Sequence, residues 1–159
     1  MRRISRGIGR RYWLVSGLVV IAMAAICAPA SAQYMGADSC ADCHSSQYGQ
    51  WITSGHRFIL MGSEDARHRP LPLPPGQSWD DISYAVGGHK TRAAYLDDQG
   101  YLVSDEFNLS TGEWYEAHPG SSVPYDCAAC HTTGYEESGN QDGLPGFVGT
   151  FALPGVQCE

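Results

Sequence analysis

The sequence predicts a turn-rich chain with little regular secondary structure, in which a small antiparallel β meander lies between two helical turns. Glycine and proline are abundant, with 19 and 9 copies among 159 residues, and both interrupt helices and strands. Only 17% of the residues are charged, against roughly 25% in an average domain. Long helices supported by side-chain ion pairs are therefore not expected.

The predicted elements can be justified in chain order. A helix is expected to begin at Asp38 or Ser39, because both residues favour the N-cap, and to weaken at Gly49 and Gly55. The proline-rich segment 69–76 predicts an extended connector. Four short runs then have the composition of strands and are divided by turn residues: 82–86, 92–96, 101–103 and 113–115. A second helical turn near Cys127 and a glycine-rich loop over 136–155 complete the chain.

The first 32 residues have the three parts of a secretory signal. The basic part holds five arginines, the apolar core covers residues 13–26, and Ala30-x-Ala32 is the expected peptidase site. We expect cleavage after Ala32, which leaves residues 33–159 as one domain in the periplasm or another extracytoplasmic compartment. The alternative is an uncleaved signal, which would anchor the chain in the membrane because the apolar run is nearly long enough to span it.

The exported part is strongly acidic. From residue 33 onward it has 5 basic and 17 acidic side chains, a net charge of −12. A nucleic-acid-binding protein needs a basic face, so this class is excluded. Partner proteins are expected to be basic.

Two pentapeptides share one cysteine pattern, namely Cys40-Ala41-Asp42-Cys43-His44 and Cys127-Ala128-Ala129-Cys130-His131. The spacing C-x-x-C-H is the signature of covalent haem attachment. Cysteines three apart on a helical turn project to the same side and can each form a thioether with the porphyrin. The adjacent histidine, here His44 or His131, then binds the iron. The sequence therefore predicts two haem c groups.

Three other uses of these cysteines are possible. A structural zinc site usually places its two cysteine pairs about 15 to 20 residues apart, and the segment from Cys43 to Cys127 is several times longer. A thioredoxin-like redox pair needs a strand–helix–strand context that neither pair has. Structural disulfides are compatible with export, but they do not explain a histidine after each pair.

A fifth cysteine stands at the end of the sequence, in Gly155-Val156-Gln157-Cys158-Glu159. We interpret Cys158 as the first residue of a third C-x-x-C-H motif, in a sequence that stops before the motif is complete. The alternative is a lone thiol, which in a secreted protein suggests an intermolecular disulfide or a reactive group.

Histidines outnumber the motifs and are the expected distal iron ligands. Methionine is scarce, since only Met35 and Met61 follow the signal. Histidine on both sides of the iron is therefore expected, with low reduction potentials. His56 is the first candidate because it follows a helical face formed by His44, Tyr48 and Trp51. The other candidates are His89 and His118, with His68 after them.

The chain resembles the exported multihaem c-type cytochromes of the cytochrome c-554 kind over most of residues 36–159. The resemblance rests on five features: the two C-x-x-C-H motifs, Trp51-x-x-Ser54-x-His56, the hairpin over 86–96, Thr111-Gly112-Glu113-Trp114 and the segment 155–159. It implies a mostly α and irregular multihaem cytochrome c fold around closely stacked haems, with the β meander as an insert. It also implies that histidines such as His56 cap a haem that is bound by another segment.

The resemblance implies a role in respiratory electron transfer between redox partner proteins. The alternative function is a haem-based oxidoreductase, which would act on small nitrogen or sulfur compounds at an iron with an open coordination position. A third interpretation is a membrane-anchored module of a larger complex, which requires that the signal is retained.

Overall fold

The computed structural model describes residues 34–120 and 122–158. The expected signal peptide, residues 1–32, lies outside the described residues. Within the described part of the chain, no helix has the length and apolar character needed to cross a bilayer.

The main element is an antiparallel sheet of seven strands. Five of them lie side by side in the order β1-β2-β3-β4-β7, while β5 pairs with β3 and with β6. The strands are β1 (Leu60–Gly62), β2 (Ile82–Gly87), β3 (Arg92–Asp97), β4 (Tyr101–Leu102), β5 (Asp105–Asn108), β6 (Glu113–Glu116) and β7 (Val123–Pro124). A separate antiparallel pair joins β8 (Thr132–Thr133) to β9 (Leu153–Pro154).

Helical structure is confined to short segments in the described chain. The α-helices are α1 (Ser45–Ile52), α2 (Ser63–Ala66) and α3 (Ala128–His131). Four 3₁₀ segments occur at Ala37–Cys40, Gly55–Phe58, Trp79–Asp81 and Gln141–Gly143. The helix expected from Asp38 does not run through the first cysteine motif, because the 3₁₀ segment ends at Cys40 and α1 begins only at Ser45.

The predicted fold class, mostly α and irregular with the meander as an insert, is therefore wrong, because the described chain is built mainly on β-strands. The four predicted β runs are confirmed as β2, β3, β4 and β6. They are not an insert but the centre of a larger sheet, which β1, β5 and β7 complete. These three strands contain Gly62, Asp105 with Asn108, and Pro124, residue types that are depleted in strands.

The buried side chains form two clusters, and successive residues of β3 contribute to different ones, as the alternation of a strand requires. The first cluster contains Leu60, Tyr84, Leu96, Tyr125, Ala128 and Phe147. The second contains Met61, Ala66, Ile82, Ala85, Ala93 and Tyr95. The first cluster includes Ala128 of the second cysteine motif, so this motif is built directly on the core.

Candidate functional site

The second cysteine motif is a single helical turn with its thiols on the outside. Cys127 is the N-cap of α3, and its carbonyl accepts hydrogen bonds from the N–H groups of Cys130 and His131, both at 3.2 Å. Cys127 and Cys130 are exposed, whereas Ala128 between them is fully buried. Because Ala128 anchors the turn in the core, both thiols are left accessible from solvent. Partial burial, and then the Asp126 carboxylate, raise the pKa of the Cys127 thiol.

The histidine of this motif is oriented by a buried tyrosine. His131 Nδ1 lies 2.7 Å from the hydroxyl oxygen of Tyr125, whose side chain is only 1% exposed. Burial lowers the pKa of His131, which favours the neutral imidazole. Burial also raises the pKa of Tyr125, so its hydroxyl stays protonated. When Nδ1–H donates to this hydroxyl, Nε2 carries the free lone pair that a metal ligand needs.

The first cysteine motif lies across the junction of two helical segments. The N–H of His44 donates to the Cys40 carbonyl at 2.8 Å, and the His44 carbonyl accepts from Tyr48 N–H at 2.9 Å. His44 is thereby the N-cap of α1. Cys40 is half-buried, and both Cys43 and His44 are exposed. This motif also presents a thiol and an imidazole to solvent, without the core contact of the second.

Tyr48 and Trp51, the two aromatic residues expected on the helical face of His44, connect this motif to other segments. The centroids of their rings are 5.7 Å apart. The Tyr48 hydroxyl donates to Asp38 Oδ1 at 2.7 Å, and this hydrogen bond is the main cause of the raised Tyr48 pKa. The Trp51 indole N–H donates to the Val156 carbonyl at 2.6 Å, across 105 positions of sequence. Trp51 therefore connects α1 to the end of the chain.

The segment 155–158, called the tail below, contacts residues that flank both motifs. Near the first motif, the Ala37 N–H donates to Gln157 Oε1 at 3.3 Å. Near the second, the Gln157 N–H donates to Thr133 Oγ1 at 2.9 Å. The Val156 N–H donates to the His56 carbonyl at 3.1 Å. The tail therefore carries Cys158 to the surroundings of His56.

His56 and Cys158 line one cavity of about 460 Å³, together with Gln50, Trp51, Ser54, Val156 and Gln157. The structure thus brings together a predicted distal ligand and a predicted attachment cysteine that are far apart in sequence. His56 is exposed, and Cys158 is half-buried.

His89 lies close to the same 3₁₀ segment as His56. It stands in the turn between β2 and β3 and stacks on Phe58, with ring centroids 5.3 Å apart and an interplanar angle of 21°. A side chain added at Gly55 would place its Cβ 3.6 Å from His89 Cδ2. Of the three leading candidate ligands, His56 therefore lies in the segment Gly55–Phe58 and His89 packs against it.

His118 lies elsewhere, next to β5. Its Nε2 is 3.1 Å from Glu106 Oε1, and Glu106 is a buried carboxylate at 8% exposure. The other Glu106 oxygen accepts from the Tyr115 hydroxyl and from Arg92 at 3.4 Å. His118 would have to give up this contact to bind iron through Nε2, and its role as a ligand stays a prediction.

Several side chains near these residues have no motif in the sequence to identify them. Tyr125 is one, because nothing in the chain order reveals that its hydroxyl meets His131. Arg57 and Arg69 are others, and they line a larger cavity of about 640 Å³ together with His68, the last of the candidate distal ligands. The available signal for the arginines was their rarity, since they are two of five basic residues after residue 33.

The cysteines are unpaired. None of the five cysteines in the described residues forms a disulfide. No group of three or more His, Cys, Asp and Glu side chains in residues 34–120 and 122–158 is arranged to hold a metal ion.

Comparison with solved structures identifies the fold. The outer cell wall cytochrome OcwA matches over 80% of this chain, with a TM-score of 0.59 and 21% sequence identity. The undecahaem cytochrome from the S-layer of Carboxydothermus ferrireducens matches over 82%, with a TM-score of 0.60 and 21% identity. The matched regions are 31% and 20% of those chains, so this chain spans less than a third of either protein. The described chain therefore shares its fold with part of each of these two cytochromes.

No protein-family model matches the sequence, and no curated protein matches it either.

Proposed function

We propose that this chain is part of an exported multihaem c-type cytochrome that carries electrons. The second cysteine motif carries the proposal. Its two exposed thiols share one helical turn, and the contact with Tyr125 leaves Nε2 of the adjacent imidazole available. A porphyrin that is attached in this way needs two cysteines and an axial nitrogen from the motif, so the residues present fit the group.

In this proposal each residue of the motif has one task. Cys127 and Cys130 hold haem covalently, and His131 supplies the proximal nitrogen. Cys40, Cys43 and His44 do the same at the first motif. Haem supplies an iron couple that gains and loses one electron. The protein residues fix its position and axial ligands.

Finer parts of the proposal rest on the sequence. Histidine ligands on both sides of the iron, with His56, His89 and His118 as candidates, favour low potentials. Cys158 is proposed as the start of a third attachment site. The resemblance to the cytochrome c-554 kind supports a respiratory role, and the acidic charge supports basic redox partners. An outer cell wall protein and an S-layer protein among the structural matches support export.

The proposal is tested by making the protein in a host that can mature c-type cytochromes. Intact mass and haem staining after denaturation should show two covalent haems. Each double variant, Cys40→Ala with Cys43→Ala or Cys127→Ala with Cys130→Ala, should lose one haem. Ser45→Ala with Ser46→Ala is the matched control and should lose none, because these two exposed side chains lie beside the first motif and carry no thiol. A colourless protein with the mass of the bare polypeptide would refute the proposal.

The same material distinguishes a carrier from an oxidoreductase. A carrier with two axial protein ligands on each iron should give a uniformly low-spin ferric spectrum. A high-spin component that responds to nitrite or hydroxylamine would instead favour substrate chemistry at an open iron.

A further inference from the structure

Two guanidinium groups lie against one aromatic ring and have no acidic partner among the residues that the structure describes. Arg69 Cζ is 3.8 Å and Arg57 Cζ is 5.6 Å from the ring centroid of Phe58. Arg67 and Arg92 form ion pairs with carboxylates. In the part of the chain that the structure describes, no carboxylate lies within 4.0 Å of the Arg57 or Arg69 guanidinium. This is unexpected in a domain where acidic residues greatly outnumber basic ones.

Arg69 is held in place before any ligand is bound. One terminal nitrogen, Nη2, donates to the Gly88 carbonyl at 3.1 Å. The other, Nη1, lies 3.6 Å from Met61 Sδ. The pKa of Arg69 is lowered, first by burial and then by the positive charge of Arg57. Two like charges on a partly desolvated surface are unfavourable without a counter-ion. The pair is therefore preorganised for an anion.

The space beside these arginines is large enough for a cofactor. It has a volume of about 640 Å³, within the range of about 300–1,000 Å³ typical of small-molecule and cofactor sites. Trp51, Phe58, Leu60 and Met61 give the lining an apolar part. Asp38 and Asp65 also line it but lie beyond ion-pair distance of both guanidiniums. A ligand for this cavity should have an apolar body and carboxylates.

We propose that Arg57 and Arg69 bind the propionate carboxylates of a porphyrin that is attached to this chain. The inference rests on the proposed function and assigns this cavity to the cofactor. Guanidinium groups bind carboxylates through paired, charge-assisted hydrogen bonds. The cavity shares Trp51 and Gln157 with the one that contains His56 and Cys158, so it adjoins the surroundings of two predicted haem-binding residues.

Arg57 is the better residue for a test, because it is exposed and its substitution is not expected to unfold the sheet. Arg57→Gln leaves a propionate without its counter-charge, which disfavours the reduced iron. We expect the equilibrium constant for reduction of one haem to fall about tenfold, which is about 59 mV for a one-electron couple. Arg57→Lys keeps the charge and should recover most of the loss. Arg67→Gln is the matched control, because it makes the same charge change at an ion pair with Glu64.

The pH dependence of the potential is a second readout. A guanidinium holds the pKa of a bound propionate down, so Arg57→Gln should move the pH-dependent change in potential to higher pH. Arg67→Gln should not move it. Inorganic phosphate, titrated into the wild-type protein, should produce no saturable change in potential because the arginines are already engaged.

The outcomes separate this inference from the proposed function. If the protein contains haem but Arg57→Gln behaves like Arg67→Gln in both measurements, the inference is wrong and the electron-carrier proposal stands. A saturable phosphate response that is lost in Arg57→Gln would overturn the inference too, because the cavity would then bind free anions. A wild-type protein without haem refutes the proposed function itself.

Discussion

The hydroxyl of Tyr125 lies 2.7 Å from Nδ1 of His131, and this contact joins the buried core to the second cysteine motif. The Tyr125 ring packs against Phe147, with centroids 5.1 Å apart. Its backbone N–H donates to the Gly146 carbonyl at 2.8 Å. Because ring and backbone are both held, the core determines where the imidazole of His131 points.

Tyr125→Phe should raise the reduction potential of one haem. A hydrogen bond from Nδ1–H to an acceptor makes the imidazole a stronger donor and stabilises ferric iron, so removing the acceptor favours the ferrous state. We expect the equilibrium constant for reduction to rise by up to about tenfold, or about 59 mV. A redox titration of the holoprotein measures the change.

Tyr84→Phe is the control for this substitution. Tyr84 belongs to the same buried cluster, but its hydroxyl donates to the Asp142 carboxylate and not to a residue of either motif. Loss of the hydrogen bond should cost about 0.5–1.5 kcal/mol of stability in Tyr125→Phe and about 1.5–3 kcal/mol in Tyr84→Phe, because the acceptor of Tyr84 is a carboxylate. Only Tyr125→Phe should change the potential. Equal potentials in the two variants would show that Tyr125 has only a structural role.

The sequence predicts the local features of this molecule better than its architecture. Strands β2 and β3 have six residues each, which is long enough for a composition typical of strands to be recognised. The glycines between them mark the turn. The two-residue strands β4 and β7 pair with each other only because the whole sheet brings them together. The predicted fold class is wrong for this reason. The family resemblance implies helices, but long-range pairing between short segments produces a sheet.

The candidate site likewise combines local features that the sequence identifies with long-range contacts that it does not. C-x-x-C-H spacing is a local property, so the sequence identifies both motifs. The proximity of His56 to Cys158 depends on the tail, which is held by the Trp51–Val156 hydrogen bond across 105 positions. Contacts of this kind cannot be read from spacing. The same limit applies to Tyr125 and to the arginine pair.

Gly155 allows the tail to approach His56. Gly155→Ala should therefore be more destabilising than the same substitution at a glycine with similar backbone angles and open surroundings. Its φ is +69°, and an added Cβ would lie 3.0 Å from the Arg57 carbonyl oxygen and 3.1 Å from that of His56. The backbone conformation alone costs an alanine about 1–2 kcal/mol. The crowding against two fixed carbonyls should add about 1 kcal/mol.

Gly112→Ala separates these two costs. Its φ is +73°, but no atom lies within 4 Å of an added Cβ, so only the backbone cost applies. Denaturant unfolding of both variants gives the comparison. If the two substitutions lower the free energy of unfolding equally, the tail is not tightly held against His56 and Arg57.

Tyr95 should make the fold sensitive to alkali. Burial raises its pKa from 10.0 to about 12, and its hydroxyl donates to the Pro72 carbonyl. Above pH 10 the unfolded chain loses this proton and the folded chain keeps it, so stability falls as pH rises from 10 to 12. At about 1.4 kcal/mol per pKa unit, the loss is about 2–3 kcal/mol.

Tyr95→Phe removes the titrating group and tests this assignment. At neutral pH the variant should be less stable by about 1 kcal/mol, because the Pro72 carbonyl loses its donor. Its stability should then fall less steeply than that of the wild type between pH 10 and 12. Free energies of unfolding at several pH values measure both effects. Parallel curves for the two proteins would contradict the assignment.

His56→Ala should open one iron to exogenous ligands. His56 is exposed and shares its cavity with Cys158, so its loss should change stability by less than about 0.5 kcal/mol. If its imidazole is a distal ligand, the ferric spectrum of the variant should gain a high-spin component, and added imidazole should restore the low-spin form. Gln50→Ala is the matched control, because Gln50 lines the same cavity without a metal-binding side chain. A variant His56→Ala that stays as low-spin as Gln50→Ala would show that the iron takes its distal ligand from elsewhere, with His89 as the next residue to replace.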